Sequence, residues 1–488
     1  MKDIRKNILP QDAVIKDVLT VLNAGAFGIV FITDADGAVQ GIFTDGDVRR
    51  AILKGAHLDS PARDHMQRKF VYALAGQPRE TYMDKLTDTI RHLPILDDHG
   101  RLVDFISLAE LWRMPVMQPH LGGNELKYVT DCIATNWISS QGTYVRTFEH
   151  EFARFANARH ALTTSNCTTA LHLALLGFGV GPGDEVLVPD ATFAATANAV
   201  IHAGATPVFV DVSPDTWTLD PERCREAITP RTKAIIPVHL YGHPCDMDPL
   251  MELARTHGLA VIEDCAEALG ARYKGRSVGS IGDAGCFSFF SNKIMTTGEG
   301  GMITTSNAQA MERMKLLRDH GMSPTRRYIH EVVGFNYRMT NLQAAIGLAQ
   351  LEQVDKFLAL RQRLADTYAR LLRGIAGLTL QPRAPWAQSI CWLFTVLVED
   401  DFPLHRDALM RWLNREGVES RPFFPPLHSQ PVFAGMSPVQ PVSLELSQRG
   451  ISLPSSNTMT AEEVERVCRS VRDSVSYHNT LGLLEEVA

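Results

Sequence analysis

A single lysine, Lys293, stands within CFSFFSNKIMTTGEGGM, residues 286–302. The apolar aromatic run from Cys286 to Phe290 predicts a buried strand ending at Ser291, followed by a polar, glycine-bearing segment from Thr296 to Gly301. A lysine at such a strand end can lose its proton, because burial disfavours the charged form. The neutral amine then attacks carbonyls and forms a Schiff base. Taken alone, the same stretch also describes a lysine that caps a strand and reaches solvent.

Two more features bear on that choice. Asp264 closes the apolar run LAVIE, and a carboxylate at the end of a buried strand is costly unless it meets a cation. TSNCTT, Thr164–Thr169, precedes the apolar helix-like segment Ala170–Leu176. Backbone N–H groups at a helix start, flanked by small hydroxylic side chains, make a phosphate site. Singly, capping explains both. In this order they describe a phosphate cradle, an acid for a pyridinium nitrogen and a Schiff-base lysine, which together suit pyridoxal phosphate.

The elements that must hold these residues alternate. Strand-like EVLVP (Glu185–Pro189), TPVFV (Thr206–Val210), AIIPVH (Ala234–His239) and LAVIE (Leu259–Glu263) are separated by helix-like stretches such as Thr192–His202. That alternation predicts an α/β fold, a mostly parallel sheet flanked by helices. Ligands of such sheets sit beyond the carboxyl ends of the strands. From about residue 361 the pattern becomes a small C-terminal α+β domain, with strand-like Trp392–Val398 and helix-like Leu404–Glu416.

The chain has 488 residues, a formal charge of −7 and no dense Lys/Arg run, so nucleic-acid and anionic-membrane binding are not expected. No apolar stretch approaches the ~18 residues of a membrane helix. The N-terminus lacks an apolar signal core. The eight cysteines form no C-x-x-C and no zinc spacing and read as reduced thiols in a cytoplasmic protein.

Residues 31–52 and 94–115 repeat one pattern at a shift of 63: Ile32 with Ile95, Asp34 with Asp97, Gly37 with Gly100, Thr44 with Ser107, Asp47 with Glu110. Each copy predicts strand, D-x-x-G turn, strand, then a helix with a capping box. This resembles a tandem CBS (Bateman) module over residues 1–117. The resemblance implies that Thr44 and Asp47 hold the ribose of an adenine nucleotide; a capping box alone accounts for the same pair. Met114–Gly123 reads as a linker.

From about Trp137 onward the chain resembles the DegT/DnrJ/EryC1/StrS nucleotide-sugar aminotransferases. The motifs are TSNCTTALHLAL, GPGDEVLVPDATFAATANAV, VIEDCAEALGARYKG, FSFFSNKIMTTGEGGM, VGFNYRMTNLQAAIGLAQL and RPFFPPLH. HLYGHPCDMD and NK-x-x-TTGEGG are most similar to perosamine-synthase-type 4-aminotransferases. The resemblance implies a fold-type-I pyridoxal phosphate enzyme with domains at 1–117, 118–360 and 361–488. Lys293 would bond the cofactor and move protons, Asp264 would pair with its ring nitrogen, and Phe193 would stack on the ring. Cys167, Thr168 and Ser288 would hold the phosphate, with Asn336 of the partner subunit in a homodimer. Glu267 stands where many relatives have Gln beside the cofactor's 3-oxygen. Trp137, His330 and His428 fall in segments that line the sugar pocket, and Arg338 and Arg421 suit a carboxylate or diphosphate. The implied reaction moves an amino group from L-glutamate to a keto group, most often C4, of a nucleotide-linked 4-keto-6-deoxy sugar. The alternative is a nucleotide-binding regulatory protein that keeps an inactive aminotransferase scaffold.

Overall fold

A computed structural model describes residues 4–24, 28–77, 81–82, 85–87, 90–107 and 114–485. The chain forms two compact units, Met1–Met114 with Arg411–Val418, and Pro115–Met410 with Glu419–Ala488.

The first unit carries the repeat into three dimensions. Strand β1 (Ile8–Pro10) lies parallel to β2 (Ile29–Thr33), which turns back antiparallel as β3 (Val39–Thr44). Strands β4 (Ala73–Leu74), β5 (His92–Leu96) and β6 (Leu102–Ser107) repeat that order. Even the register is kept: Ile29 faces Thr44 as His92 faces Ser107, and each hairpin shifts register at the equivalent place. The turns match as well. Asp34 Oδ1 accepts from the Asp36 and Ala38 N–H groups, and Asp97 Oδ1 from those of His99 and Arg101. Gly37 and Gly100 supply the positive φ, +83° and +75°, that such turns require. Phe31 of β2 and Phe105 of β6 pack with ring centroids 5.3 Å apart, so the two copies share a core. In the first copy, Asp47 Oδ2 accepts from the backbone N–H and hydroxyl of Thr44. Glu110 lies outside the described residues.

The second unit is built on a seven-stranded sheet. Its strands are β7 (His160–Thr164), β8 (Glu185–Pro189), β9 (Thr206–Val210), β10 (Thr232–Ile235), β11 (Ala260–Asp264), β14 (Ala284–Ser288) and β15 (Gly301–Thr305). A short ribbon, β12 (Arg272–Tyr273) and β13 (Arg276–Ser277), interrupts the series. The order is β7-β15-β14-β11-β10-β8-β9, and only β15 runs against the others. All residues of β8, β11's last four and β14 are buried, as a sheet covered on both faces demands. A smaller antiparallel sheet follows: β16 (Leu378–Leu380), β18 (Phe394–Val398), β20 (Gly450–Leu453) and β19 (Arg421–Pro422), while β17 (Ala387–Gln388) extends the ribbon.

The strand before Lys293 ends at Ser288, three residues earlier than the aromatic run predicts. Phe289 still donates its N–H to Gly300, but it also accepts from Thr297, and Lys293 N–H closes a tight turn on the Phe290 carbonyl. The alternation thus breaks between a buried Phe289, packed against Phe148 and Phe152, and a half-exposed Phe290. Among the described residues, no helix is long and apolar enough to cross a membrane.

Candidate active site

The carboxyl ends of β11 and β14 and the start of the helix Cys167–Gly177 converge on one cavity of about 490 Å³. Lys293, Asp264, Glu267, Cys167, Thr168, Phe193 and Ser288 all line it, and so does Arg421. Sequence neighbours alone do not place these residues together; the parallel strand order does.

The amine comes first. Lys293 Nζ lies 3.8 Å from Glu267 Oε1 and 3.8 Å from the Trp392 ring centroid. Burial holds its ammonium below the ordinary lysine range, opposed by the charges of Glu267 and Asp264. A lysine so placed is poised to give up its proton and act as a nucleophile and base. Trp392 is itself fixed, its indole N–H donating to the Asn292 carbonyl.

Asp264 is 5 % exposed. Its Oδ2 accepts from Thr196 Oγ1 at 2.9 Å and its Oδ1 from the Ala266 N–H. Burial pushes its carboxyl above the ordinary range, and those two donors pull it back. It makes no ion pair among the described residues, so a buried carboxylate faces the cavity without a cation. Glu267 is pushed up to about 7 by burial, with Lys293 opposing, while its Oε2 accepts the Tyr241 N–H. Half-protonated near neutral pH, it can donate to an oxygen of a bound group or share a proton with Lys293.

The anion cradle is built from backbone. Asn166 Oδ1 caps the helix on the Thr169 N–H. The N–H groups of Cys167 and Thr168 meet no acceptor among the described residues and stand at the positive end of the helix. A Cβ on Gly301 would lie 2.5 Å from the Asn166 carbonyl oxygen. Glycine there lets β15 press against the cradle; the glycines after Lys293 therefore shape the site without holding the anion themselves. Phe193, 62 % exposed, offers its ring to the cavity.

These residues fit pyridoxal phosphate: two free N–H donors for the phosphate, an unpaired buried carboxylate for the ring nitrogen, an open aromatic face and a buried amine. When bound, that cofactor supplies an electron sink. The residues that would hold and serve it are the chain's own: Asp264 would face the ring nitrogen and favour its protonated form, Lys293 would carry the proton at the reacting carbon, and Trp392 and Phe424 line the cavity beside them.

The other residues singled out in the sequence lie elsewhere in this chain. His428 Nδ1 is bonded to buried Asp190 at 2.6 Å. Trp137 is exposed, its carbonyl accepting from Asn341. His330 is bonded to the His320 carbonyl, Arg338 is paired with Asp319, and exposed Asn336 accepts from Arg338. None lines the Lys293 cavity. Thr196, Tyr241, Trp392 and Phe424, which do, were not singled out by the sequence. Thr196 shares the DATFAAT segment with Phe193, Tyr241 lies in HLYGHPCDMD and Phe424 in RPFFPPLH, so of the four only Trp392 stood outside the quoted motifs. Buried His239, Glu263 and Cys265 also cluster, but Glu263 is engaged by the Gly279, Ile281 and Gly282 N–H groups and His239; it ties the loop before β14 to β11.

Replacing Thr196 by Val keeps the shape and removes the donor to Asp264. Cofactor affinity is expected to fall about tenfold, as for loss of one hydrogen bond to a charged group. Absorbance titration of the cofactor-free protein measures it, and an unchanged affinity would show that this bond does not orient the carboxylate.

The sheet and this site define a fold-type-I pyridoxal phosphate enzyme. Residues 119–472 match the model of the DegT/DnrJ/EryC1/StrS aminotransferase family, and the chain belongs to that family. It is 48 % identical over 362 residues to the GDP-perosamine synthase of Caulobacter vibrioides, covering 74 % of this chain and 98 % of that one. It is 38 % identical over 376 residues to the dTDP-3-amino-3,4,6-trideoxy-alpha-D-glucose transaminase of Streptomyces venezuelae, covering 75 % and 97 %. The crystal structure of S. venezuelae DesV in complex with a ketimine intermediate superposes with a TM-score of 0.69 at 37 % identity, covering 72 % and 94 %.

Proposed function

We propose that this enzyme moves an amino group from L-glutamate to the C4 keto group of a nucleotide-linked 4-keto-6-deoxy sugar. The observation that carries the reading is the cavity itself, which joins Lys293, Asp264 and the free N–H pair of Cys167 and Thr168 with Arg421, a cation suited to a donor carboxylate. The similarity to a GDP-perosamine synthase supports the sugar. An inactive scaffold would have no need of the complete set. A panel of nucleotide-ketosugars incubated with glutamate, with products read by mass spectrometry, tests it: a mass gain matching ketone-to-amine exchange is expected with a 4-keto sugar, and exchange only with 3-keto sugars would overturn the C4 assignment.

The active form in this reading is a cytoplasmic homodimer, in which Asn336 of the partner subunit reaches the phosphate; Trp137, His330 and Arg338 then serve the neighbouring site, and His428 borders the sugar pocket. Domains run 1–117, 118–360 and 361–488. The first is a CBS module that binds an adenine nucleotide through Thr44 and Asp47 and regulates the enzyme. The matched registers, bulges and Asx turns of its two copies support this assignment. Because Thr44 and Asp47 already bond each other, a ribose must replace those bonds. Calorimetry with ATP, ADP and AMP is expected to show binding that Asp47→Ala abolishes. No heat with any of them, together with unchanged kinetics after deletion of residues 1–117, would end the proposal.

A further inference from the structure

The chain passes into the catalytic unit at two places, Pro115 and Glu419. One hydrogen bond ties these points together: the Val116 N–H donates to Glu419 Oε2 at 2.8 Å. The other oxygen of the same carboxylate, Oε1, faces Arg421 Nη2 at 3.4 Å. Arg421 in turn lines the Lys293 cavity. The surroundings hold the backbone of both segments. Val116 accepts from the Ser455 N–H, Gln118 N–H donates to Ser456, and Arg421 pairs with Ser452 across β19 and β20. The Glu419 carboxylate is therefore the flexible link between two fixed strands of chain, with one oxygen for each.

We infer that Glu419 is a positioning residue for the cavity, setting where the Arg421 guanidinium points according to how Val116 is held. The physical basis is the sharing of one carboxylate. A guanidinium that keeps its carboxylate partner is restrained in direction, and one that loses it swings free on a long side chain. A shift of the 115–118 segment that draws Oε2 with it rotates Oε1 relative to Arg421. Anything bound to the preceding residues 1–114 that strains this segment thus acts on the cavity through one side chain, a coupling between two sites that by linkage must run in both directions. Arg421's task as the carboxylate receptor rests on the function proposed above; the link from Val116 to Arg421 does not.

The test uses the full chain loaded with cofactor. Stopped-flow absorbance follows conversion of the cofactor by L-glutamate, and hydrogen exchange of the Val116 amide is read by fragmentation mass spectrometry. Glu419→Ala is expected to raise the half-saturating glutamate concentration about tenfold while the rate at saturation changes less than about twofold. Glu419→Gln keeps an acceptor for Val116 but turns an amide N–H toward the Arg421 guanidinium, so it should preserve Val116 protection while recovering little of the glutamate effect. In an Arg421→Ala background, Glu419→Ala should add nothing, because the two act as one unit. Arg421→Ala alone should speed Val116 exchange several-fold. An additive effect of the two substitutions, or Val116 exchange unchanged by Arg421→Ala, overturns the inference. If the wild-type protein is not converted by glutamate yet Arg421→Ala still alters Val116 exchange, the donor assignment falls and the positioning role stands.

Discussion

Lys293→Ala is expected to abolish amino transfer, lowering the rate by roughly 10⁴-fold or more, because nucleophile and proton carrier leave together. The variant should fold. Lys293 Nζ is paired with Glu267, whose carboxyl, already pushed up to about 7 by burial, can take a proton when the ammonium is gone. Its absorbance is the more specific readout. The band near ~420 nm given by a lysine-linked cofactor should be missing, although the cofactor still binds through the cradle at Cys167 and Thr168. A band that survives the substitution would assign the covalent role to another amine.

Asp264→Asn separates charge from shape. Asparagine preserves the acceptor for Thr196 Oγ1 and the volume at the end of β11, but cannot balance a protonated ring nitrogen. The rate is expected to fall roughly 10²–10³-fold, the scale for losing one preorganised electrostatic contact. The cofactor-free protein should respond in the opposite sense. Burial raises the Asp264 pKa in the fold above its unfolded value, so the native state binds the proton more tightly than the unfolded chain. Stability from this group is then present at low pH and lost as pH rises past the ordinary carboxylate range. Asp264→Asn has no such loss. Melting of both cofactor-free proteins from below the ordinary carboxylate range up to neutral pH should show the variant gaining relative stability at the higher pH; a gain at the lower pH would contradict the carboxylate's burial without a cation.

The chemistry-bearing part of the site is local in sequence, which is why it is legible there. Lys293, Asp264 and the TSNCTT cradle each sit at an element boundary that apolar runs announce, and the strand alternation brings those boundaries to one edge of the sheet. The walls of the cavity are another matter. Trp392 reaches Lys293 from about a hundred residues away, and Tyr241 and Phe424 come from connections whose sequences carry no period, whereas Arg421 was marked only by its charge. Nothing local distinguishes a tryptophan that lies over an amine from one that fills a core; only the packing of β18 against the rest of the unit decides it. The same holds for His428: nothing in its local sequence points to the bond it makes with buried Asp190. The strand before Lys293 stops early for a related reason. Phe289 and Phe290 have equal strand propensity, and the turn made by Lys293 and Thr297 overrides it.

That turn fixes more than geometry. The segment carrying Lys293 is pinned at its base by the pairing of Ser288 with Gly301 and again by Phe289 with Gly300. Lys293 is thereby a tethered amine whose search volume is the cavity alone, and its effective concentration there far exceeds that of any free amine in solution. An amino donor must displace it by binding, not by abundance, and for the proposed glutamate donor a carboxylate receptor such as Arg421 in the cavity wall would serve that end. A small free amine offered to Lys293→Ala would have neither tether nor receptor, and could substitute for the side chain only at concentrations far above those of a bound donor.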